Sequence, residues 1–233
     1  MLKLSNNEIY AIALTTLILG LVIGFNDGRE TSSIDEYWIN NLMICFLAVF
    51  ISIFLRIAFQ KIIAGKLGFD AEFKPNYIGL FLGIFSAFLF NGFAYLFVPG
   101  GTRLKEKEEM HIGSHPYIKR SKFAAVSSSG EAATLILLIT STILSFSFEN
   151  LFIEKMMRTN ALLLIYFLIP LPPESDAFYI VFWSRTFYIF LLALSIAISI
   201  SIFFMPLAAS IILSLALGIL ATYLFYSKVE SKS

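Results

Sequence analysis

The stretch from Ile44 to Ile63 reads ICFLAVFISIFLRIAFQKII, and Arg56 lies in its interior after an apolar run in which Ser52 is the one polar residue. Twenty helical residues cover about 30 Å, the thickness of the hydrocarbon core of a bilayer. An ionised side chain at that depth costs about 2.5–3.5 kcal/mol on insertion scales, so it usually has a partner inside the protein. The stretch therefore predicts a membrane-spanning helix with a buried, paired arginine. The alternative is an arginine that extends to the interface near Lys61.

The composition extends the membrane prediction to the whole chain. Of 233 residues, 58% are hydrophobic and 14% are charged. Soluble domains are about 45–50% apolar and about 25% charged, so we expect an all-α integral membrane protein, with the lipid bilayer as its surroundings. The net charge of +1 indicates no nucleic-acid partner. We expect about six transmembrane helices, from the apolar runs Ile9–Phe25, Leu42–Ile63, Tyr77–Val98, Ala132–Phe148, Asn160–Leu171, Phe187–Met205 and Leu207–Tyr226.

The distribution of basic residues predicts the orientation of the chain. The loop Asn26–Tyr37 carries four carboxylates and one arginine, which is typical of an exterior loop, because lysine and arginine favour the cytoplasmic side. The amino terminus is then cytoplasmic, and the chain is predicted to be a multi-pass protein of the cell membrane. The loop 99–129 holds six basic residues and is also expected in the cytoplasm, where it could contact anionic lipid.

The segment 77–98 decides whether that orientation is consistent. A full crossing would place the basic loop 99–129 outside, against the positive-inside bias. A segment that enters the membrane and returns keeps the loop inside, and Gly79, Gly83, Asn91 and Gly92 suit a non-helical turn buried in protein. We favour the re-entrant interpretation, with a full crossing as the alternative.

The residues from Arg56 to Phe73 read RIAFQKIIAGKLGFDAEF. This resembles the first motif region of the site-2 protease family of intramembrane zinc metalloproteases, in archaeal-type form. In that family His-Glu-x-x-His is followed by Lys, a helix ending in Gly, and a strand beginning Ala-Glu-Phe. The positions that keep this frame are Lys61, Ala64, Gly68, Ala71, Glu72 and Phe73.

Three later segments fall in the family's order. Phe97-Val98-Pro99-Gly100-Gly101 resembles its Pro-Gly-Gly hairpin, which implies a small β-hairpin. Ser129-Gly130-Glu131-Ala132-Ala133-Thr134 stands where the family has Ala-Gly-Pro-x-x-Asn at a helix start. The segment from Ile169 to Ala177, IPLPPESDA, resembles Pro-x-Pro-Pro-Leu-Asp-Gly, which supplies the family's aspartate ligand.

The chemistry of the family is missing at the matched positions. The two histidine positions are Arg56 and Gln60, the general-base position is Ile57, and the aspartate position is Ser175, with Asp176 displaced by one. Arginine only donates hydrogen bonds, so it cannot bind a cation. Isoleucine cannot accept a proton from a metal-bound water. We therefore expect no zinc, no other cofactor and no enzymatic activity.

We hypothesise that a salt bridge replaces the metal. The resemblance brings the second span and the proline-rich turn together, so Arg56 would face Asp176, with Glu174 or Glu131 as alternative partners. A buried charge that keeps a partner is tolerable, whereas an unpaired one costs several kcal/mol. This geometry also favours the re-entrant interpretation of 77–98, because a full crossing would separate the two motifs.

Two other candidate sites have a simpler explanation. His111 and His115 have the i, i+4 spacing of a zinc helix, but Gly113 and Pro116 oppose a helix there, so a solvated loop is expected. The run of serines 127–129 has no nearby histidine to activate a nucleophile, so it is read as a helix-start loop with Ser129 as N-cap. Glu131 is then expected in the first helical turn.

The predicted organisation has three parts: a terminal anchor and exterior loop (1–37), a site-2 protease-like core (38–190) and carboxy-terminal helices (191–233). Within the core we distinguish the first motif region (54–73), the re-entrant segment (77–98), the basic loop (99–129), a helix (130–148) and a proline-rich turn (169–177). The predicted function is that of a pseudoprotease that binds a transmembrane client or a partner subunit. The alternatives are an active metalloprotease with atypical ligands, a structural subunit of a larger membrane complex, and a small-solute carrier.

Overall fold

The computed structural model describes residues 4–29, 34–106, 120–171 and 175–230. Within these ranges the chain is mostly helical, as expected, with eight helices and two strands. They are α1 (Asn6–Gly24), α2 (Glu36–Leu67), β1 (Phe69–Pro75), α3 (Tyr77–Leu89), β2 (Gly100–Glu106), α4 (Arg120–Ser145), α5 (Leu151–Tyr166), α6 (Asp176–Trp183), α7 (Arg185–Ser201) and α8 (Leu207–Lys228).

Four helices, α1, α2, α4 and α8, are long and apolar enough to cross a membrane, and α3 and α7 are shorter apolar helices. The chain thus has the helical, apolar character that its composition predicts. The run Asn160–Leu171 is not a helix of its own, because α5 begins earlier, at Leu151, and ends at Tyr166. Asn150 caps this helix by accepting a hydrogen bond from the amide of Phe152 at 2.8 Å.

The longest helix, α2, has defined signals at both ends. The Asp35 carboxylate caps its start by accepting from the amide of Trp38 at 2.9 Å. The helix ends where Gly68 adopts a positive φ of 86°, a conformation that glycine enters without a Cβ penalty. The chain then turns directly into β1, so the end of α2 positions the small sheet.

The two strands form an antiparallel ladder in which Phe69 pairs with Glu106 and Pro75 pairs with Gly100. A small two-stranded sheet is therefore present where a small β-hairpin was expected, but its strands are not joined by a short turn at Pro99-Gly100-Gly101. These residues lead into β2, and α3 lies between the two strands. Gly100 has a φ of +133°, and a Cβ there would lie 2.2 Å from the Lys74 carbonyl oxygen, so this close pairing requires glycine.

The segment between the strands goes out along α3 and comes back as an extended chain. The tip is reached at Asn91, whose carbonyl oxygen accepts a hydrogen bond from Asn26 Nδ2 at 3.3 Å, just beyond the end of α1. On the way back, the amide of Leu96 donates to Ser86 Oγ at 2.9 Å. Both ends of the segment 77–98 therefore lie beside the ladder. We call this end of the molecule the ladder end, and the end where Asn26 meets Asn91 the loop end.

The helix predicted for 130–148 begins ten residues earlier, at Arg120, and ends at Ser145. The predicted helix start at Ser129 is therefore wrong: Ser129 Oγ donates to the carbonyl oxygen of Val126 inside α4. The physical reason is packing, because Val126 is fully buried in a cluster with Ala64 and Phe69 at the ladder end. The predicted basic loop 99–129 accordingly contains β2 and the first turns of α4, and residues 107–119 lie outside the described ranges.

Gly79 lets the outgoing helix and the returning chain pack closely, and its substitution is a test of that geometry. A Cβ at Gly79 would lie 2.5 Å from both Cβ and the carbonyl oxygen of Val98. We expect Gly79→Ala to lower the free energy of unfolding in detergent by about 1–3 kcal/mol, because packed cores resist added volume. The matched control is Gly65→Ala in α2, where a Cβ meets nothing within 4 Å; its expected effect is a gain of up to about 1 kcal/mol. Equal effects of the two substitutions would contradict the close packing.

Candidate functional site

Arg56 lies in the protein interior with 1% of its surface exposed. Its Nη2 atom is 2.6 Å from Glu131 Oε1 and 2.8 Å from Asp176 Oδ2. Its Nη1 atom donates to Thr134 Oγ1 at 2.9 Å. The guanidinium plane also lies against Phe167, with Cζ 3.7 Å from the ring centroid, a favourable cation–π distance. The arginine head is therefore held inside the protein and does not extend to an interface.

Asp176 accepts hydrogen bonds at both carboxylate oxygens. Oδ2 accepts from Arg56 Nη2 and from Gln60 Nε2, the latter at 2.7 Å, and Oδ1 accepts from the backbone amide of Thr102 at 3.0 Å. Gln60 Oε1 in turn accepts from Thr102 Oγ1 at 2.6 Å. Asp176 is the first residue of α6, where the helix dipole also favours a negative charge. We call Arg56, Gln60, Thr102, Glu131, Thr134 and Asp176 the buried ion network.

The elements that carry the network approach one another closely at Gly130. A Cβ on this residue of α4 would lie 2.6 Å from Gln60 Nε2 and 3.1 Å from Arg56 Cζ. The absence of a side chain lets α4 approach α2 over the very residues that form the network. The network therefore depends on a short-range contact between α2 and α4, to which β2 and α6 add one residue each.

The sequence-predicted residues occupy different surroundings. Arg56, Gln60 and Asp176 share the network, and Glu131 joins them as a second carboxylate. Glu131 lies about three turns inside α4, not in its first turn as expected, because the helix begins at Arg120. Ile57 is buried in the apolar core.

Two further groups of predicted residues lie outside the network. Ser175 is buried, and its Oγ donates to the carbonyl oxygen of Ile169 at 2.7 Å, so it helps to shape the turn before α6. Glu174, His111 and His115 lie outside the described residues.

Charge in the network does not balance by simple pairing. Two carboxylates, Glu131 and Asp176, face one guanidinium. Among the described residues, nothing hydrogen-bonds Glu131 Oε2 or Arg56 Nε, although both atoms are buried. The excess negative charge is offset by two neutral donors to Asp176, namely the side-chain amide of Gln60 and the backbone amide of Thr102. Fixed dipoles of this kind stabilise a buried charge where water cannot.

The residues present do not fit the zinc that the resemblance implies. Asp176, one residue beyond the matched aspartate position, is the carboxylate nearest to that position among the described residues, and its two oxygens already accept hydrogen bonds from protein donors. Arg56 would place a permanent positive charge beside the metal, which opposes binding of a cation. Among the described residues there is no group of three or more His, Cys, Asp or Glu side chains arranged to hold a metal ion. The buried ion network therefore does not provide a zinc site.

A second buried ion pair joins α1 to the rest of the core and was missed at the sequence level. Glu8 Oε2 lies 2.8 Å from Lys61 Nζ, and Glu8 Oε1 accepts from the amide of Phe73 in β1 at 3.1 Å. A carboxylate before the first apolar run looks like an exposed residue of a helix start. Thr102 was also missed, because a threonine after Pro-Gly-Gly carries no sequence signal for a buried hydrogen bond.

Comparisons with models of known protein families, with curated proteins and with solved structures found no match to this chain.

A double-substitution experiment tests the coupling of Arg56 to Asp176. We expect Arg56→Met to lower the free energy of unfolding by about 3–5 kcal/mol, because two carboxylates then remain buried without their counter-ion. Asp176→Asn should cost about 1–3 kcal/mol, since Arg56 keeps Glu131. In the double variant the loss should be smaller than the sum of the two single losses by about 1–3 kcal/mol.

The matched control is the exposed pair Arg158–Glu154 on α5, whose atoms lie 2.7 Å apart. Arg158→Met should cost no more than about 0.5 kcal/mol, as is typical of an exposed i, i+4 pair. Additive losses for Arg56 and Asp176, measured as unfolding free energies in the same detergent, would show that the two side chains do not interact.

Proposed function

We propose that this chain is a non-catalytic membrane protein with a site-2 protease-like core, and that it binds a transmembrane helix of a partner or client protein. The single observation that carries the non-catalytic part is the state of Asp176: this carboxylate, one residue beyond the ligand position, accepts hydrogen bonds from Arg56, Gln60 and Thr102 and is fully buried. A metalloprotease needs an open coordination position for water and a general base beside it. In the network the Asp176 oxygens already accept from protein donors, and Ile57 occupies the matched general-base position.

The proximity of the matched segments supports the resemblance. The first motif region on α2, the Ser129–Thr134 segment on α4 and the turn before α6 are far apart in sequence, yet their residues contact one another in the buried ion network. A chance resemblance among apolar helices would give no reason for these three segments to contact one another. This convergence supports the family relationship as part of the proposal.

The partner-binding part rests on the outward face of α3. This helix packs with its glycine side on the returning chain, and its other side exposes large apolar residues in a continuous strip, from Ile78 through Phe81 and Phe85 to Phe88. The strip carries no charge, so its occupant is an apolar helix and not a soluble polar surface. Large aromatic side chains are the usual anchors of a protein interface. We therefore assign this strip to a transmembrane helix of another protein.

Orientation in the membrane follows from the two ends of the molecule. Most basic residues lie at the ladder end, whereas Asp27 and Asp35 lie at the loop end together with Arg29, Lys155 and Arg158. The positive-inside bias then places the ladder end in the cytoplasm of a multi-pass cell-membrane protein, with α3 and the returning chain as a re-entrant element. The remaining spans, beyond the four long helices, would be α5 and α7. The basic residues at the ladder end are Lys61, Lys66, Lys74, Arg103, Lys105, Arg120 and Lys122.

Two readouts on the purified protein and on native membranes test the function. The purified chain should hold no stoichiometric zinc by elemental analysis and should leave a transmembrane reporter peptide intact. Photo-crosslinking residues placed at Phe81 and Phe85 should yield one discrete protein adduct in native membranes. The same residues at Ile212 and Ile219, exposed on α8, serve as controls and should give no such adduct. Cleavage of the peptide would overturn the non-catalytic part, and adducts with lipid alone at α3 would overturn the partner-binding part.

Labelling of single cysteines tests the orientation. In a Cys45→Ser background, a membrane-impermeant thiol reagent should label Gly28→Cys in intact cells, because this residue lies at the loop end. Arg103→Cys, in β2, should be labelled only after the membrane is permeabilised. If 77–98 crossed the membrane fully, both cysteines would react in intact cells, and the re-entrant proposal would be wrong.

A further inference from the structure

A cavity of about 570 Å³ lies at the loop end, between the end of α1, the returning chain, α5 and α7. This volume is within the range of sites that bind small molecules. Its walls are mainly apolar, with Ile23, Leu162, Ile165 and Phe203 among them, and two basic residues of α5, Lys155 and Arg158, also line it. The cavity shares no lining residue with the buried ion network, and only its depth in the membrane rests on the proposed function.

Lys155 is the unusual feature of this cavity. Only 6% of the surface of Lys155 is exposed. Within the described parts of the chain, its ammonium group donates no hydrogen bond and forms no ion pair. Among the other described residues, buried charges such as Arg56 and Glu8 are paired. The ammonium of Lys155 instead lines the cavity with no anion beside it, so the cavity has an electrostatic preference for a negatively charged ligand.

Arg158, the second basic residue that lines the cavity, adds to its preference for an anionic ligand. Arg158 lies one turn after Lys155 on α5, its side chain is 56% exposed, and it pairs with Glu154 on the same helix. An anion held by Lys155 would therefore also lie near a guanidinium that faces the surroundings.

The apolar wall extends in one direction from the basic group. The cavity-lining positions of α5 are 155, 158, 161, 162 and 165, which share one helix face. From Lys155 to Ile165 this face runs for about 15 Å away from the loop end, toward the middle of the bundle. A ligand that matches both features has an acidic head at the loop end and an apolar chain along α5.

We propose that this cavity binds an acidic amphiphile, with its anionic head on Lys155 and its apolar chain along α5 and α7. In the orientation proposed above, Lys155 would lie near the headgroup depth of one leaflet, where an anionic phospholipid or a free fatty acid could enter. The shared chemistry is a phosphate or carboxylate joined to an acyl chain. Inorganic anions lack the apolar part and are poor ligands for such a site.

The binding test uses dodecyl phosphate as the probe, added to the full-length protein in a neutral maltoside detergent. Dodecyl phosphate should raise the unfolding temperature in a saturable way. Dodecanol, which lacks the charge, and inorganic phosphate, which lacks the chain, should each bind at least tenfold more weakly. Equal effects of dodecanol and dodecyl phosphate would show that Lys155 plays no part, and equal effects of inorganic phosphate would show that the apolar wall plays none; either result overturns the proposal.

Lys155→Met is the decisive variant. It should weaken dodecyl phosphate binding at least tenfold, and it should be as stable as the natural protein or more stable without ligand, because it removes an unpaired buried charge. Lys155→Arg should keep most of the affinity. Lys66→Met, an exposed basic residue of α2, is the matched control and should leave binding unchanged. A Lys155→Met variant that is less stable without ligand would assign the ammonium to a partner in the protein and overturn the proposal.

Mass spectrometry of lipid retained after extraction into native nanodiscs identifies the source of the ligand. Retention of a phospholipid by the natural protein and its loss in Lys155→Met would identify a membrane lipid. Retention and loss of a fatty acid in the same pair would identify a free carboxylate. Equal lipid content in both proteins would mean that Lys155 selects no amphiphile, and the proposal would fail.

Discussion

A guanidinium buried where water cannot reach it must be neutralised by the protein, and this requirement organises the core of the molecule. Arg56 lies inside α2, so its partners have to come from other elements. Glu131 comes from α4 and Asp176 from the start of α6, and Asp176 lies 120 residues further along the chain. The backbone of β2 supplies a donor to Asp176 through Thr102. Four elements therefore meet at one charged group.

The buried ion network contributes to the free energy of unfolding in a different way from an apolar core. A fully satisfied buried ion pair contributes little net stability against a well-packed apolar replacement, whereas loss of one partner is costly. We therefore interpret the network as a device that fixes how α2, α4, α6 and β2 are arranged. Gly130 also fixes the arrangement of α2 and α4, because a side chain at this position would displace Gln60 and Arg56.

The two buried cationic side chains in the described part of the chain, Arg56 and Lys155, have opposite surroundings. Arg56 meets two carboxylates, a threonine hydroxyl and the face of Phe167. Lys155 meets none of these among the described residues, and it faces a cavity. This contrast supports the proposed ligand of the cavity. The protein supplies counter-ions for Arg56 and Glu8, whereas a bound anion would be the counter-ion of Lys155. The two sites also lie toward opposite ends of the bundle, so they can be tested independently.

Apolar runs and charge patterns determined much of this protein without its structure. The helical class, the long α2 and the identity of Arg56 as a buried residue follow from hydrophobic length and from the cost of an isolated charge. The start of α4 at Arg120 did not follow, because serines 127–129 signal a helix start locally, and only the burial of Val126 against Ala64 and Phe69 makes that segment helical. The small sheet was expected as a β-hairpin, and the structure shows that α3 lies in the connection between its two strands.

The roles of Glu8, Thr102 and Lys155 were decided by tertiary structure alone. Each is a common polar residue whose sequence neighbours give no indication of burial. Glu8 pairs with Lys61, Thr102 donates to Asp176, and Lys155 faces a cavity, because elements distant in sequence close over them. Local sequence determines which segments are helical and apolar, since hydrophobicity and capping act over a few residues. Which charges meet, and which one is left without a partner, depends on contacts across the bundle, and these exist only once the chain has folded.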